Sequence, residues 1–121
     1  MITLSPYNPS WPILFEEEKQ KLREVLSLLD LQIEHIGSTA IPGIYAKPVI
    51  DILIGINSLD EFTGHDIKKI ESLAYKYNPI FESIFPHRRY FQKNDASGCR
   101  THQIHLVNYD KPSIFASDGK T

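Results

Sequence analysis

The chain has 121 residues, enough for one domain with one core and too few for two. Hydrophobic residues make up 41% and charged residues 23%, as in an ordinary soluble globule, and the net charge of −2 sets up no basic field for nucleic acid. No apolar run reaches the roughly 18 to 20 residues of a membrane span. Met1–Pro6 lack a signal peptide's basic start, and the lone Cys99 cannot form an internal disulfide, so a cytoplasmic protein is expected.

Taken in chain order, the first seven residues read as extended. A helix is expected to follow, with Ser10 as its N-cap and Pro12 in its first turn. Trp11, Leu14, Phe15, Leu22, Val25, Leu26 and Leu29 form an apolar stripe at helical spacing, and Glu16, Glu17 and Glu18 read as a solvated face. Leu31 to Ile36 reads as a short strand. Gly37 to Lys47, rich in Gly, Ser, Pro and Ala, reads as a turn-forming connection with room for a brief helix. Pro48 to Ile56 is the clearest strand. Ile50, Ile52, Ile54 and Ile56 share one face, and Val49, Asp51, Leu53 and Gly55 the other, so a central strand is expected. A second helical region, capped by Asn57 or Ser58 and interrupted at Gly64, is expected to run to about Tyr77. Ile80 to Phe85 is ambiguous between strand and loop. Arg89–Lys93 and Thr101–Asn108 read as two strands joined by a turn, and residues 110–121 as a polar tail. The order of helices and strands predicts an α/β (α+β) single domain, a mixed β-sheet flanked by helices over residues 1–109.

Three features carry chemistry. Gly37, Ser38 and Thr39 directly follow a strand, where a glycine lets backbone N–H groups and hydroxyls approach an anion; a tight turn capped by Ser38 or Thr39 is the plainer reading. Asp51 stands inside an apolar strand. Its lost hydration demands a cation, a hydrogen-bond donor, or a salt bridge to Lys47, Arg88 or Arg89. His102 and His105 fall on opposite strand faces, which makes His105 the better site residue and His102 the buried, hydrogen-bonded one. Arg89 and Lys93 share a face, and Arg100 starts the facing strand; these cations suit phosphate or a charged hairpin edge. Cys99, His102 and His105 offer a further metal-binding reading, although their spacing matches no tetrahedral zinc site.

Gly37-Ser38 followed by Asp51 in an apolar strand resembles the signature of the nucleotidyltransferase (DNA polymerase β-like) superfamily. More closely, Tyr7–Pro12 with Phe15, Glu34–Gly43 continuing through Ala46–Ile52, Arg89–Lys93 and Thr101–Val107 resemble the GrpB family over residues 6–108. The resemblance implies a nucleotidyltransferase-like fold and a nucleotide or other phosphorylated ligand. Gly37, Ser38, Thr39, Lys47, Arg89, Lys93 and Arg100 would hold its phosphates. Asp51 and His105 would act catalytically and bind a divalent metal, Mg or Mn. The chain departs from the superfamily pattern at Leu53, where a second carboxylate would stand, and at His105 or His102, where a third would. Transfer of a nucleotidyl or phosphoryl-type group is therefore set against a non-catalytic module that keeps the fold and its pocket. Family members continue into helices that cover the sheet, whereas this chain leaves the pattern after about Tyr109. Uncovered apolar surface would favour a homo-oligomer.

Overall fold

The isoleucines at alternate positions of one strand organise the protein. In this computed structural model residues 4–79 and 82–108 are described; the expectations for residues 80–81 and for the 110–121 tail lie outside them. Helix α1 (Ser10–Val25) leads into strand β1 (Leu31–Ile36), a 3-10 turn (Ser38–Ala40) and strand β2 (Ile50–Ile56). A second 3-10 turn (Leu59–Glu61), helix α2 (Gly64–Glu71) and strands β3 (Lys76–Tyr77), β4 (Arg88–Asn94) and β5 (Arg100–Asn108) follow. The strands make one mixed sheet in the order β1-β2-β5-β4-β3, in which only β2 and β5 run parallel. β2 is an interior strand, as its two apolar faces predict, although β5 takes the middle place.

One face of the sheet carries Ile33, Ile52, Ile54, Phe91, Ile104 and Leu106. They form a single core with Trp11, Phe15 and Leu22 of α1, with Leu26 just after it, and with Phe62 and Ile70 from around α2. The other face carries Asp51 and Leu53 of β2, Gln103 and His105 of β5, and Tyr90 of β4, aligned by register. No helix among the described residues is long and apolar enough to cross a membrane.

Three local expectations are corrected. The residue flanking α1 is Pro9, and Ser10 is its first helical residue; the Asn8 side chain accepts the Ser10 N–H at 2.8 Å. The stripe of α1 runs Trp11, Phe15, Glu18, Leu22, so Glu18 is buried and Leu14 is largely outside it. The second helical region is interrupted at Phe62 and Thr63, next to the expected Gly64, and its second piece ends at Glu71 rather than near Tyr77. Thr63 starts α2 by forming a capping box with Asp66, and Ala74, at φ 75°, turns the chain out of helix so that Lys76 and Tyr77 pair with β4.

Candidate functional site

Antiparallel pairing sets Ile36 opposite Asp51, so the chain leaves β1 at Gly37 directly beside that carboxylate. Gly37 has φ +78° and ψ −172°, and a Cβ added there would lie 2.5 Å from Asp51 Oδ2. Both the conformation and the contact require glycine. The 3-10 turn that follows is pinned from inside. Thr39 is buried; its hydroxyl donates to the Val49 carbonyl at 3.1 Å and pairs with His35 Nε2 at 2.9 Å. Thr39 therefore holds the turn against β2 with its own hydroxyl already engaged.

On the other side of Asp51 the parallel register places Gln103. Gln103 donates from Nε2 to Asp51 Oδ1 at 2.5 Å, while its Oε1 accepts from Tyr90 Oη at 2.6 Å and from Arg100 Nη1 at 3.0 Å. The two donors on Oε1 orient the amide so that its N–H groups face the carboxylate. Burial pushes the Asp51 carboxyl above the usual aspartate range, against the Gln103 hydrogen bond and the Lys47 charge, which pull it down.

A cleft of about 510 Å³ gathers Ser38, Thr39, Lys47, Asp51, Arg100 and Gln103, with Leu4 and Tyr45 also on its wall. Lys47 and Arg100 are exposed and Asp51 is half-buried, so the cleft is polar, cationic at its rim and open to ligands. Arg88, Arg89 and His105 line a second cavity of about 250 Å³, which shares Gln103 with the first. His105 Nδ1 lies 3.3 Å from Arg88 Nη2, its ring sits against Tyr90, and burial, with the Arg88 charge, pushes it down to about 4. Arg89 turns toward the carbonyls of Pro86 and Arg88 and toward Glu82.

Lys93 lies on the helix-covered face. Its ammonium meets the buried Glu18 carboxylate at 2.8 Å, and Tyr75 Oη donates to the same oxygen at 2.7 Å. Burial raises the Glu18 carboxyl, but the Lys93 and Tyr75 bonds outweigh it and hold the group below its ordinary value. His102 shares this face; its Nδ1 pairs with Thr101 Oγ1 at 2.8 Å, and among the described residues its buried Nε2 has no hydrogen-bond partner.

The structure thus brings Gly37, Ser38, Thr39, Lys47, Asp51 and Arg100 to one place. It sets Arg89 and His105 beside that place and Lys93 across the sheet. Gln103, Tyr45 and Leu4 were not singled out as site residues in the sequence. For Gln103 one sequence signal existed, since it shares a strand face with His105.

The donor set does not fit a resident divalent cation. Hard cations take several oxygen ligands, and Asp51 is the sole carboxylate among the described residues that line the cleft, with one oxygen already bonded to Gln103. Among the described residues no group of three or more His, Cys, Asp and Glu side chains comes together, so Cys99, His102 and His105 do not assemble either.

A sequence model described as "GrpB protein" matches residues 1–117. The chain is 39% identical over 108 residues to "UPF0157 protein YqkA" of Bacillus subtilis, covering 89% of this chain and 30% of that one. It is 31% identical over 109 residues to "Glutamate-rich protein GrpB" of Alkalihalophilus pseudofirmus, covering 89% and 62%. The crystal structure of conserved protein GrpB from Enterococcus faecalis matches with a TM-score of 0.77 at 34% identity, over 90% of this chain and 63% of that one. The chain therefore spans less than two thirds of each of these relatives.

Proposed function

The chain belongs to the GrpB family, and from that premise we propose that its Ser38–Asp51 cleft binds a phosphorylated small molecule of the nucleotide class. One observation carries the reading: a glycine turn that nothing but glycine can make lies against Asp51, in the same cleft as Ser38, Lys47 and Arg100. Phosphate oxygens suit this surroundings. Turn N–H groups and the Ser38 hydroxyl donate to them, Lys47 supplies a mobile point charge, and Arg100 supplies planar paired donors. Asp51, repelled by phosphate, is suited to a sugar or other hydroxyl beside it. Gln103 holds the carboxylate in place for that contact.

The Gly-Ser turn followed by a strand carboxylate supports a nucleotidyltransferase-like ancestry for the fold. With one carboxylate and no donor set for a resident metal among the described residues, binding without two-metal transfer is the function these residues serve best. Group transfer is the second reading, favoured by the raised pKa of Asp51, a property of proton acceptors that face a substrate hydroxyl.

Thermal-shift titration with nucleoside phosphates and with pyrophosphate tests the proposal. Stabilisation that rises with ligand concentration is expected. Arg100→Ala is expected to weaken binding about tenfold, the scale of one charge-assisted hydrogen bond. A flat response to every phosphate, or an unchanged response in Arg100→Ala, contradicts it. Product formation abolished by Asp51→Asn with binding retained would establish the transfer reading.

A further inference from the structure

A short ribbon builds one wall of the cleft. The Ser5 N–H donates to the Ala46 carbonyl at 2.8 Å and the Ala46 N–H to the Ser5 carbonyl at 2.9 Å, an isolated antiparallel bridge. Successive side chains of extended backbone point to opposite sides. Ala46 is buried at 2% exposure while its neighbours Tyr45 and Lys47 are exposed, and both of them line the cleft together with Leu4 and the edge of Ala46. The bridge thus sets an aromatic ring, an aliphatic side chain and an ammonium on a single surface facing Asp51 and Arg100.

Tyr45 is 66% exposed and Leu4 57%. Both lie outside the core and line the cleft that also holds Lys47 and Arg100, so their apolar surface is open to a bound molecule. A flat aromatic group would cover them and gain stacking on the ring. The cleft, at about 510 Å³, falls in the range of pockets for whole small molecules rather than for a bare anion.

We propose that the ligand of this cleft is a phosphate ester bearing a flat aromatic group, which stacks on Tyr45 and Leu4 while its phosphate meets Lys47, Ser38 and Arg100. The inference rests on the phosphate reading given above and adds to it the residue that selects the organic part. Tyr45 is a positioning and specificity residue.

Isothermal titration of methyl phosphate and phenyl phosphate separates the two claims. The full chain is compared with Tyr45→Ala and Tyr45→Phe, with circular dichroism as the check on folding. Phenyl phosphate is expected to bind about tenfold more tightly than methyl phosphate, the scale of one stacked ring. Tyr45→Ala is expected to bring that ratio close to one, and Tyr45→Phe to restore it. A ratio close to one in the unaltered chain, or a ratio that survives Tyr45→Ala, overturns the stacking claim while leaving the phosphate reading intact. Binding of neither ester overturns both.

Discussion

At position 37 a side chain has neither a conformation nor a space: φ is +78° and the Asp51 carboxylate fills the Cβ site. Gly37→Ala is expected to cost about 2 kcal/mol or more, read from urea denaturation; a change below about 0.5 kcal/mol would show that the turn relaxes freely. Asp51 illustrates the opposite economy. Its folded pKa is raised by burial, so it favours folding only where it is protonated, and that contribution is lost as pH rises through the folded value. Asp51→Asn removes the ionisation that burial penalises, so it is expected to raise Tm while impairing the site. A lower Tm would contradict this. His102 and His105 behave differently. Burial holds both down to about 4, at His102 against the Glu18 charge and with the Lys93 and Lys21 charges, at His105 with the Arg88 charge, against an unfolded value of about 6.5. The unfolded chain binds more protons across that window, so stability is expected to fall as pH drops from about 6.5 to about 4. His102→Gln should flatten the profile of Tm against pH; an unchanged profile would place the acid sensitivity elsewhere. Gly37 and Asp51 were readable in the sequence because each breaks a local pattern. Gln103 was readable only as a neighbour of His105 on one strand face, since its contact with Asp51 comes from the pairing of β2 with β5.

Among the elements, α1 shows how a correct pattern can conceal its most telling member. The stripe Trp11, Phe15, Leu22 was readable, yet position 18 falls on the same line at the same spacing, and its charge suggested solvent. The buried Glu18 is partnered by Lys93 and Tyr75 from beyond the helix, and by Lys21 from within it. This pairing also explains why Lys93, whose strand position was read correctly, serves the fold across the sheet from the cleft. Glu18→Ala is expected to destabilise by about 3 kcal/mol, because it leaves the Lys93 ammonium with little compensation beneath the helix. The Glu18→Ala, Lys93→Met pair is expected to cost less than that single change. Denaturant melts of the two variants check both statements, and a single-variant loss below about 1 kcal/mol would contradict them. The region from Ser58 to Tyr77 was less readable. Its apolar spacing is helical throughout, and the break depends on Thr63 and Asp66 capping each other and on the positive φ of Ala74. The two-residue β3 exists only through its pairing with β4.

For the whole molecule, the parallel pairing of β2 with β5 is the decisive event. It carries Gln103 to Asp51 across about fifty residues of chain, while the β1–β2 hairpin pairing carries Gly37 to the same carboxylate from the other side. Strands β1, β2, β4 and β5, the alternation along them and the mixed class of the fold follow from local pattern. Their order does not, because several orders would bury the same isoleucines. The cleft is thus a product of topology acting on a few readable residues, and its phosphate chemistry is the central claim. Amide NMR spectra of the uniformly labelled chain, recorded as pyrophosphate is added, address that claim most directly. The account predicts concentration-dependent shifts concentrated at Gly37, Ser38, Thr39, Lys47 and Arg100, with the amides of α2 unmoved. Shifts confined to residues outside the cleft, or none at saturating pyrophosphate, would contradict it.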